Sequence, residues 1–339
     1  MKRPFFSITI VTYNAERTLE HTLKSIREQS IAQEELEILV IDGGSTDKTG
    51  EIALKYGSVL LDNPKRLPEW GKAIGVSHAA GHYIVRMDSD EEFSYHTQLQ
   101  EKMDFLKRHP EVKILIPNRY IRGERKETYG IATDYINIFG DPFSYFVYHT
   151  KMDKYETYRK NIIIKEGKCA IMKFERGEVY PLTDSGTTVF SLDYIKNRYL
   201  DTYDSIEFTC SVLDRIVSDT KLCGCIKGDD IKHNSSASFQ TYLKKLRFRV
   251  INNMFHAEES GFSSKARIND KLRYKKILFC MYALLFPLPI IDSIRLSFVY
   301  KNPSYLLHFV YLYYVCIQIA ICGTAKILGK DCKNKNYGK

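Results

Sequence analysis

In the stretch RMDSDEEF (residues 86–93), four carboxylates fall within five positions: Asp88, Asp90, Glu91 and Glu92. Two chemistries suit them. An Asp-x-Asp pair offers hard oxygen ligands to a divalent cation such as Mn²⁺ or Mg²⁺. Alternatively, acidic residues ahead of a helix face the positive end of its macrodipole, and HTQLQEKMDFLKRHP, closed by Pro110, reads as such a helix. The dipole accounts for Glu91 and Glu92. It accounts less well for Asp88, which follows the strand-like run HYIVRM several residues earlier. Three letters recur often by chance, so the setting of the pair decides.

The setting is regular. FSITIVTY, LEILVI, SVLL, HYIVRM and VKILI read as short, nearly continuous apolar strands. Between them lie amphipathic helical stretches, the first with Leu19, Leu23 and Ile26 on one face. This alternation predicts an α/β fold, a doubly wound and mostly parallel sheet covered on both faces. Ligands of such sheets bind beyond the carboxyl ends of the strands. Three polar clusters fall at those ends: Thr12-Tyr13-Asn14, Asp42-Gly43-Gly44-Ser45 and Asp88-Ser89-Asp90. Further on, KCAIMKF and TTVFSL read as strands, IEFTCSVLDRIV as a helix, and the segment near IFGDPFSYFVYH as a weak helix.

The 339 residues carry a formal net charge of +9, unevenly spread. Residues 244–276 hold ten Lys or Arg against three Asp or Glu, and the tail is basic again. The basic stretch leads into ILFCMYALLFPLPII (277–291) and, later, the charge-free run 302–325. Basic residues flanking apolar, tyrosine-rich segments point to an anionic membrane surface and away from nucleic acid. The first run is too short to span and carries Pro287 and Pro289; the second is long enough. Two crossings, a re-entrant or in-plane hairpin, a buried helix pair and a dimer interface all remain open, and a homo-oligomer is compatible with them. The basic start MKRPFFSITI shows no cleavage site and reads as the first strand. The eight cysteines lack a disulfide framework or zinc spacing, with Cys223 and Cys225 alternating along a strand.

SITIVTYNAERTLEHTLKSI, EILVIDGGSTDKT and GVSHAAGHYIVRMDSD, in that order, resemble the inverting family 2 glycosyltransferases of the GT-A fold. The resemblance covers roughly the first 120 residues. It implies that Thr12, Tyr13, Asn14 and Asp42 hold the nucleoside of a nucleotide-diphospho-sugar donor, with Lys72 facing the nucleotide. It also implies that Asp90 binds Mn²⁺ or Mg²⁺ against the donor diphosphate, with Asp88 nearer the ribose of the nucleotide or reaching the metal through water. His233 would complete the metal sphere, and Asp204 or Glu207 would be the general base. Each residue has a plainer reading beside this one. Asp42 suits a tight turn with Ser45 or Thr46 capping the next helix. Lys72 suits a solvated helix face, His233 an ordinary loop, Asp204 a helix N-cap and Glu207 a first-turn dipole partner. The chain departs from the family pattern at Ala73, where asparagine is frequent, and at Glu91-Glu92, where two aspartates are frequent.

The implied function is transfer of one sugar, with inversion, to a hydroxyl of a glycan or lipid-linked saccharide at the cytoplasmic face of a membrane. A sugar-1-phosphate nucleotidyltransferase would need a glycine-rich phosphate loop after the first strand, and VTYNAERT has none. A non-catalytic nucleotide-sugar-binding membrane protein would have no use for three polar strand ends. A processive polymerase is disfavoured by the absence of Gln-x-x-Arg-Trp. The expected organisation is a catalytic domain over 1–235, a basic juxtamembrane segment over 236–276, membrane-associated helices over 277–328 and a basic tail over 329–339.

Overall fold

The computed structural model describes residues 2–123, 130–148, 153–175, 186–235, 238–255 and 274–330, together with Glu178 and Cys332. Much of the basic segment (256–273) and most of the basic tail (331 and 333–339) lie outside the described residues. The chain divides into two compact units, one formed by residues 1–123 and 153–234, the other by 124–152 and 235–339.

The first unit carries the twelve strands found among the described residues: β1 (Phe6–Thr12), β2 (Leu36–Asp42), β3 (Val59–Asp62), β4 (Tyr83–Asp88), β5 (Glu91–Phe93), β6 (Ile114–Ile116), β7 (Arg119–Arg122), β8 (Ile162–Glu166), β9 (Cys169–Lys173), β10 (Thr188–Ser191), β11 (Leu222–Ile226) and β12 (Asp230–His233). Nine form one sheet in the order β3-β2-β1-β4-β10-β6-β11-β9-β8. Only β10 and β9 run against the others, so the sheet is mostly parallel, as its apolar strands predict. Both faces are buried. Along β2, Ile38 and Val40 join one core cluster while Leu39 and Ile41 join the other, the period-two alternation of a doubly covered strand.

Helix Leu19–Arg27 presents Leu19, Leu23 and Ile26 to the first cluster, the face its spacing predicts. Helix Pro68–His78 packs directly on the β-branched side chains of β1. A Cβ at Gly71 would stand 2.7 Å from Val11 and one at Gly75 would stand 2.9 Å from Thr9, so the close approach requires glycine at both positions.

A second, three-stranded sheet, β5-β12-β7, has no counterpart among the sequence expectations. Glu91 and Glu92 were expected to lead into a helix. They lie instead in β5, paired with Lys232 and His233 of β12, and the helix begins only at Gln98. His233 is correspondingly a strand residue and not a loop residue.

The second unit is helical. Helices Thr133–Phe139, Pro142–Tyr148, Phe239–Phe255, Tyr274–Leu284, Pro287–Val299 and His308–Ile327 surround an aromatic core that includes Tyr135, Phe139, Tyr242, Tyr305 and Tyr311.

Candidate functional site

Parallel pairing sets the site's first corner. Register places Thr12 opposite Asp42, Asp42 opposite Asp62, and Val11 opposite Asp88, so three strand-end aspartates line one sheet edge. Asp42 accepts a hydrogen bond from the Ser45 amide at 2.8 Å and from the Thr12 hydroxyl at 3.1 Å. The Ser45 hydroxyl donates to it as well, so Asp42 makes the tight turn and, with about four acceptor sites on a carboxylate, keeps about one for a ligand. Gly44, at φ 78°, completes the turn.

Ser45 does not cap the following helix. That helix begins at Thr49 without a side-chain cap, and the Ser45 hydroxyl instead accepts from the Asn14 amide at 2.8 Å. The Asn14 side chain in turn accepts from the Thr46 amide at 2.9 Å. Asn14 thus ties two strand-end loops together, which explains its positive φ of 48°. Tyr13 is half-buried, with the Arg66 guanidinium 5.7 Å from its ring centre. A tyrosine ring with a guanidinium beside it is a platform for a planar base. Arg66 was not legible in the sequence, because it comes from the loop after β3. Lys72 is half-exposed on helix Pro68–His78.

The second corner is acidic. Asp90 lies beside His233, carboxylate oxygen to Nε2 3.4 Å, because β12 pairs with β5. Burial alone would lower the His233 pKa, but the Asp90, Glu91 and Asp88 carboxylates around it leave the pKa raised. The Tyr120 ring, on β7, lies 5.1 Å from the His233 ring.

Glu91 is wholly buried behind this pair. It accepts from the Asp88 amide at 2.9 Å, the Gly186 amide at 3.0 Å and the Tyr120 hydroxyl at 2.9 Å. It clamps the Asp-x-Asp turn to the segment that enters β10. Burial, and then the neighbouring Asp88, push its pKa up to about 8. The folded state thus favours the protonated form, and its contribution to stability is complete below about pH 4.5 and lost as pH rises toward 8. Glu91→Gln cannot ionise, so its melting temperature should vary less with pH across that window than the parent's, as calorimetry will show. A parallel pair of profiles would mean that Glu91 is charged in the fold.

Among the described residues no group of three His, Cys, Asp or Glu side chains is gathered to hold a cation unaided. The residues at Asp90 and His233 would nonetheless suit a divalent ion shared with a phosphate ligand, to which they would supply one hard oxygen and one imidazole. Asp204 and Glu207 sit at the entrance of helix Ile206–Thr220. Ser205 is its N-cap, the hydroxyl accepting from the Phe208 amide at 3.1 Å. The N-cap reading of Asp204 is therefore corrected: that residue lies one position outside the helix. Glu207 occupies the first turn, 79% exposed and 3.8 Å from Arg215.

The profile of Glycosyl transferase family 2 matches residues 7–176. The chain is 28% identical over 124 residues to the poly(ribitol-phosphate) beta-N-acetylglucosaminyltransferase TarS of Staphylococcus aureus, covering 35% of this chain and 22% of that one. It is 30% identical over 151 residues to the minor teichoic acid biosynthesis protein GgaA of Bacillus subtilis, covering 40% and 34% respectively. The alignments thus span about a fifth to a third of these relatives' lengths. The mannosyltransferase PcManGT of Pyrobaculum calidifontis, solved with GDP-Man and Mn²⁺, superposes with a TM-score of 0.49 at 14% identity over 94% of this chain and 88% of that one. The family match covers half the chain and includes Thr12, Asp42, Asp88 and Asp90, while His233 lies beyond it. The chain belongs to glycosyl transferase family 2.

Proposed function

We propose that the chain transfers a single sugar from a nucleotide-diphospho-sugar to a hydroxyl of a glycan or lipid-linked saccharide, inverting the anomeric centre with the help of Mn²⁺ or Mg²⁺. The observation that carries this reading is the sheet edge shared by Thr12, Asp42 and Asp88, with Asp90 and His233 paired at the turn that follows Asp88. Asp42 accepts from the base or ribose, with Tyr13 and Arg66 as the platform beside it. Asp90 and His233 hold the cation, with Asp88 on the ribose side. The bound cation supplies charge neutralisation for the leaving diphosphate. A relative named for transfer to poly(ribitol-phosphate) supports a polyhydroxylated acceptor.

Inversion requires a base on the face opposite the departing diphosphate. Asp204 fills that role best, because Ser205 already caps the helix and leaves the Asp204 carboxylate outside it. Asp204→Asn should lower transfer about a hundredfold or more, with donor binding and melting temperature unchanged. Ser205→Ala should instead cost about 1 kcal/mol of stability and little turnover. If Glu207→Gln shows the kinetic loss and Asp204→Asn does not, the base is Glu207. Near-parent rates in both amide variants would remove the base from this segment. The overall reading is tested by incubating the purified protein with a panel of nucleotide-sugars and following release of the nucleoside diphosphate. No release or thermal stabilisation with any donor would overturn it.

A further inference from the structure

The helical unit is apolar on the outside. Of the 24 large apolar side chains exposed among the described residues, six lie before residue 201 and eighteen lie between Tyr274 and Leu328. Leu284, Phe298 and Ile327 are 83%, 80% and 87% exposed. Several polar groups of the same unit are turned inward: His308, Ser293 and Gln318 are buried. The only two charges between Ile277 and Val299, Asp292 and Arg295, pair at 2.9 Å, and Asp292 also accepts from Tyr145 at 2.9 Å and Tyr282 at 3.0 Å. A soluble unit of this size does not leave such a surface bare.

Charge selects the occupant. The unit's described residues, 130–148, 238–255 and 274–330, together hold ten Lys or Arg and three Asp. Two copies facing each other through this unit would set like charge against like charge. An anionic lipid surface instead offers opposite charge to the lysines and hydrocarbon to the apolar side chains.

Geometry then selects the mode. Ile277–Leu284 and Pro287–Val299 meet at 91°. Their 8 and 13 residues reach about 12 and 20 Å at 1.5 Å per residue, short of the roughly 30 Å hydrocarbon core. Pro303–Ile327 is long enough to cross. It does not stand alone, however. Helix Phe239–Phe255 packs along it: Arg247 donates to Gln318, midway along the long helix, at 3.1 Å, and Lys326 donates to the Met254 carbonyl at 2.7 Å. If the long helix crossed, it would carry Arg247, with Lys244, Lys245 and Arg249 nearby, toward the bilayer interior, where charged side chains are strongly disfavoured. Lying flat, the same pair keeps its basic residues at headgroup level and its apolar faces in the acyl boundary.

We propose that this unit docks in the plane of one leaflet of an anionic membrane, through Ile277–Val299 and the outer face of the long helix, without crossing it. The surface is independent of the transfer chemistry. The test uses the full chain and vesicles of phosphatidylcholine, with or without about one third phosphatidylglycerol. The protein should float with the anionic vesicles, bind neutral ones several-fold less, and lose binding as salt is raised. The double variant L284E/F298E, altered at two exposed positions, should bind at least tenfold more weakly, while its melting temperature and its stabilisation by nucleotide-sugar match the parent's. Fluorophores placed by cysteine substitution at Leu284, Phe298 and Ile317 should all be quenched best by lipid quenchers near the headgroup. Strongest quenching of the Ile317 label by the deepest quenchers would overturn the in-plane mode in favour of a crossing. Failure to float with either vesicle, with light scattering giving a dimer, would overturn the lipid occupant in favour of a second copy.

Discussion

Asp90→Ala is expected to lower sugar transfer about a thousandfold while the protein stays folded. The size follows from the several kcal/mol by which a cation stabilises charge on a leaving diphosphate, at 1.36 kcal/mol per factor of ten. Survival of the fold follows from how Asp90 is held. Its backbone carbonyl accepts from the Asn234 amide at 2.8 Å, a bond the substitution leaves intact. Its side chain is 29% exposed, so truncation opens no sealed cavity. The parent should lose activity in excess EDTA and regain it with added Mn²⁺ or Mg²⁺; the variant should not respond. NMR of the metal-free variant supplies a second readout. The Asp90 carboxylate helps raise the His233 pKa, so the imidazole should titrate at lower pH once that carboxylate is gone. Full turnover of the parent in EDTA, or an active Asp90→Ala, would remove the metal from the mechanism.

The two corners of the site were not equally legible. Thr12, Asp42 and Asp88 could be placed because β1, β2 and β4 are short, mostly apolar runs buried on both faces, each followed at once by a polar cluster. Parallel pairing then brings the ends together without further information. The partner of Asp90 was harder to place. His233 reaches it only through a sheet of three short strands whose sequences, EEF, RYIR and DIKH, show no clear periodicity. These strands come from residues 91–93, 119–122 and 230–233, so the sheet depends on long-range pairing that no local pattern announces. The same pairing buries Glu91, which the helix-dipole argument leaves at the surface. Tyr120 and Arg66 had no signal at all; one is an ordinary strand tyrosine and the other a loop arginine.

The adjacent pair Asp229-Asp230 looks, by composition, like another metal site next to His233, and the structure gives it a different task. Lys102, on helix Gln98–Arg108, is fully buried and forms an ion pair with Asp229, itself 1% exposed. Gln98, from the same helix, donates to Asp229 at 2.7 Å and to the Asp230 carbonyl at 2.8 Å. Asp230 completes the set by pairing with Arg119 at 2.9 Å. These contacts hold the start of β12, and therefore His233, in register with β5. Lys102→Met keeps the length of the stem but leaves a carboxylate buried without its counter-charge, which costs about 3–5 kcal/mol. For a unit of this size that corresponds to a fall of roughly 6–20 °C in melting temperature. Asp229→Asn should also cost stability, because Gln98 and Lys102 donate to different oxygens of the carboxylate and the amide nitrogen must replace one of them, which leaves the Lys102 ammonium buried without its counter-charge. Neither change removes a ligand, so at a temperature where the variants stay folded, metal affinity should fall far less than in Asp90→Ala. Calorimetry and metal titration of the three variants separate the two kinds of carboxylate. If Lys102→Met melts within about 1 kcal/mol of the parent, the buried pair is not what anchors β12. If Asp229→Asn instead abolishes metal binding at full stability, Asp229 belongs to the site and not to its scaffold.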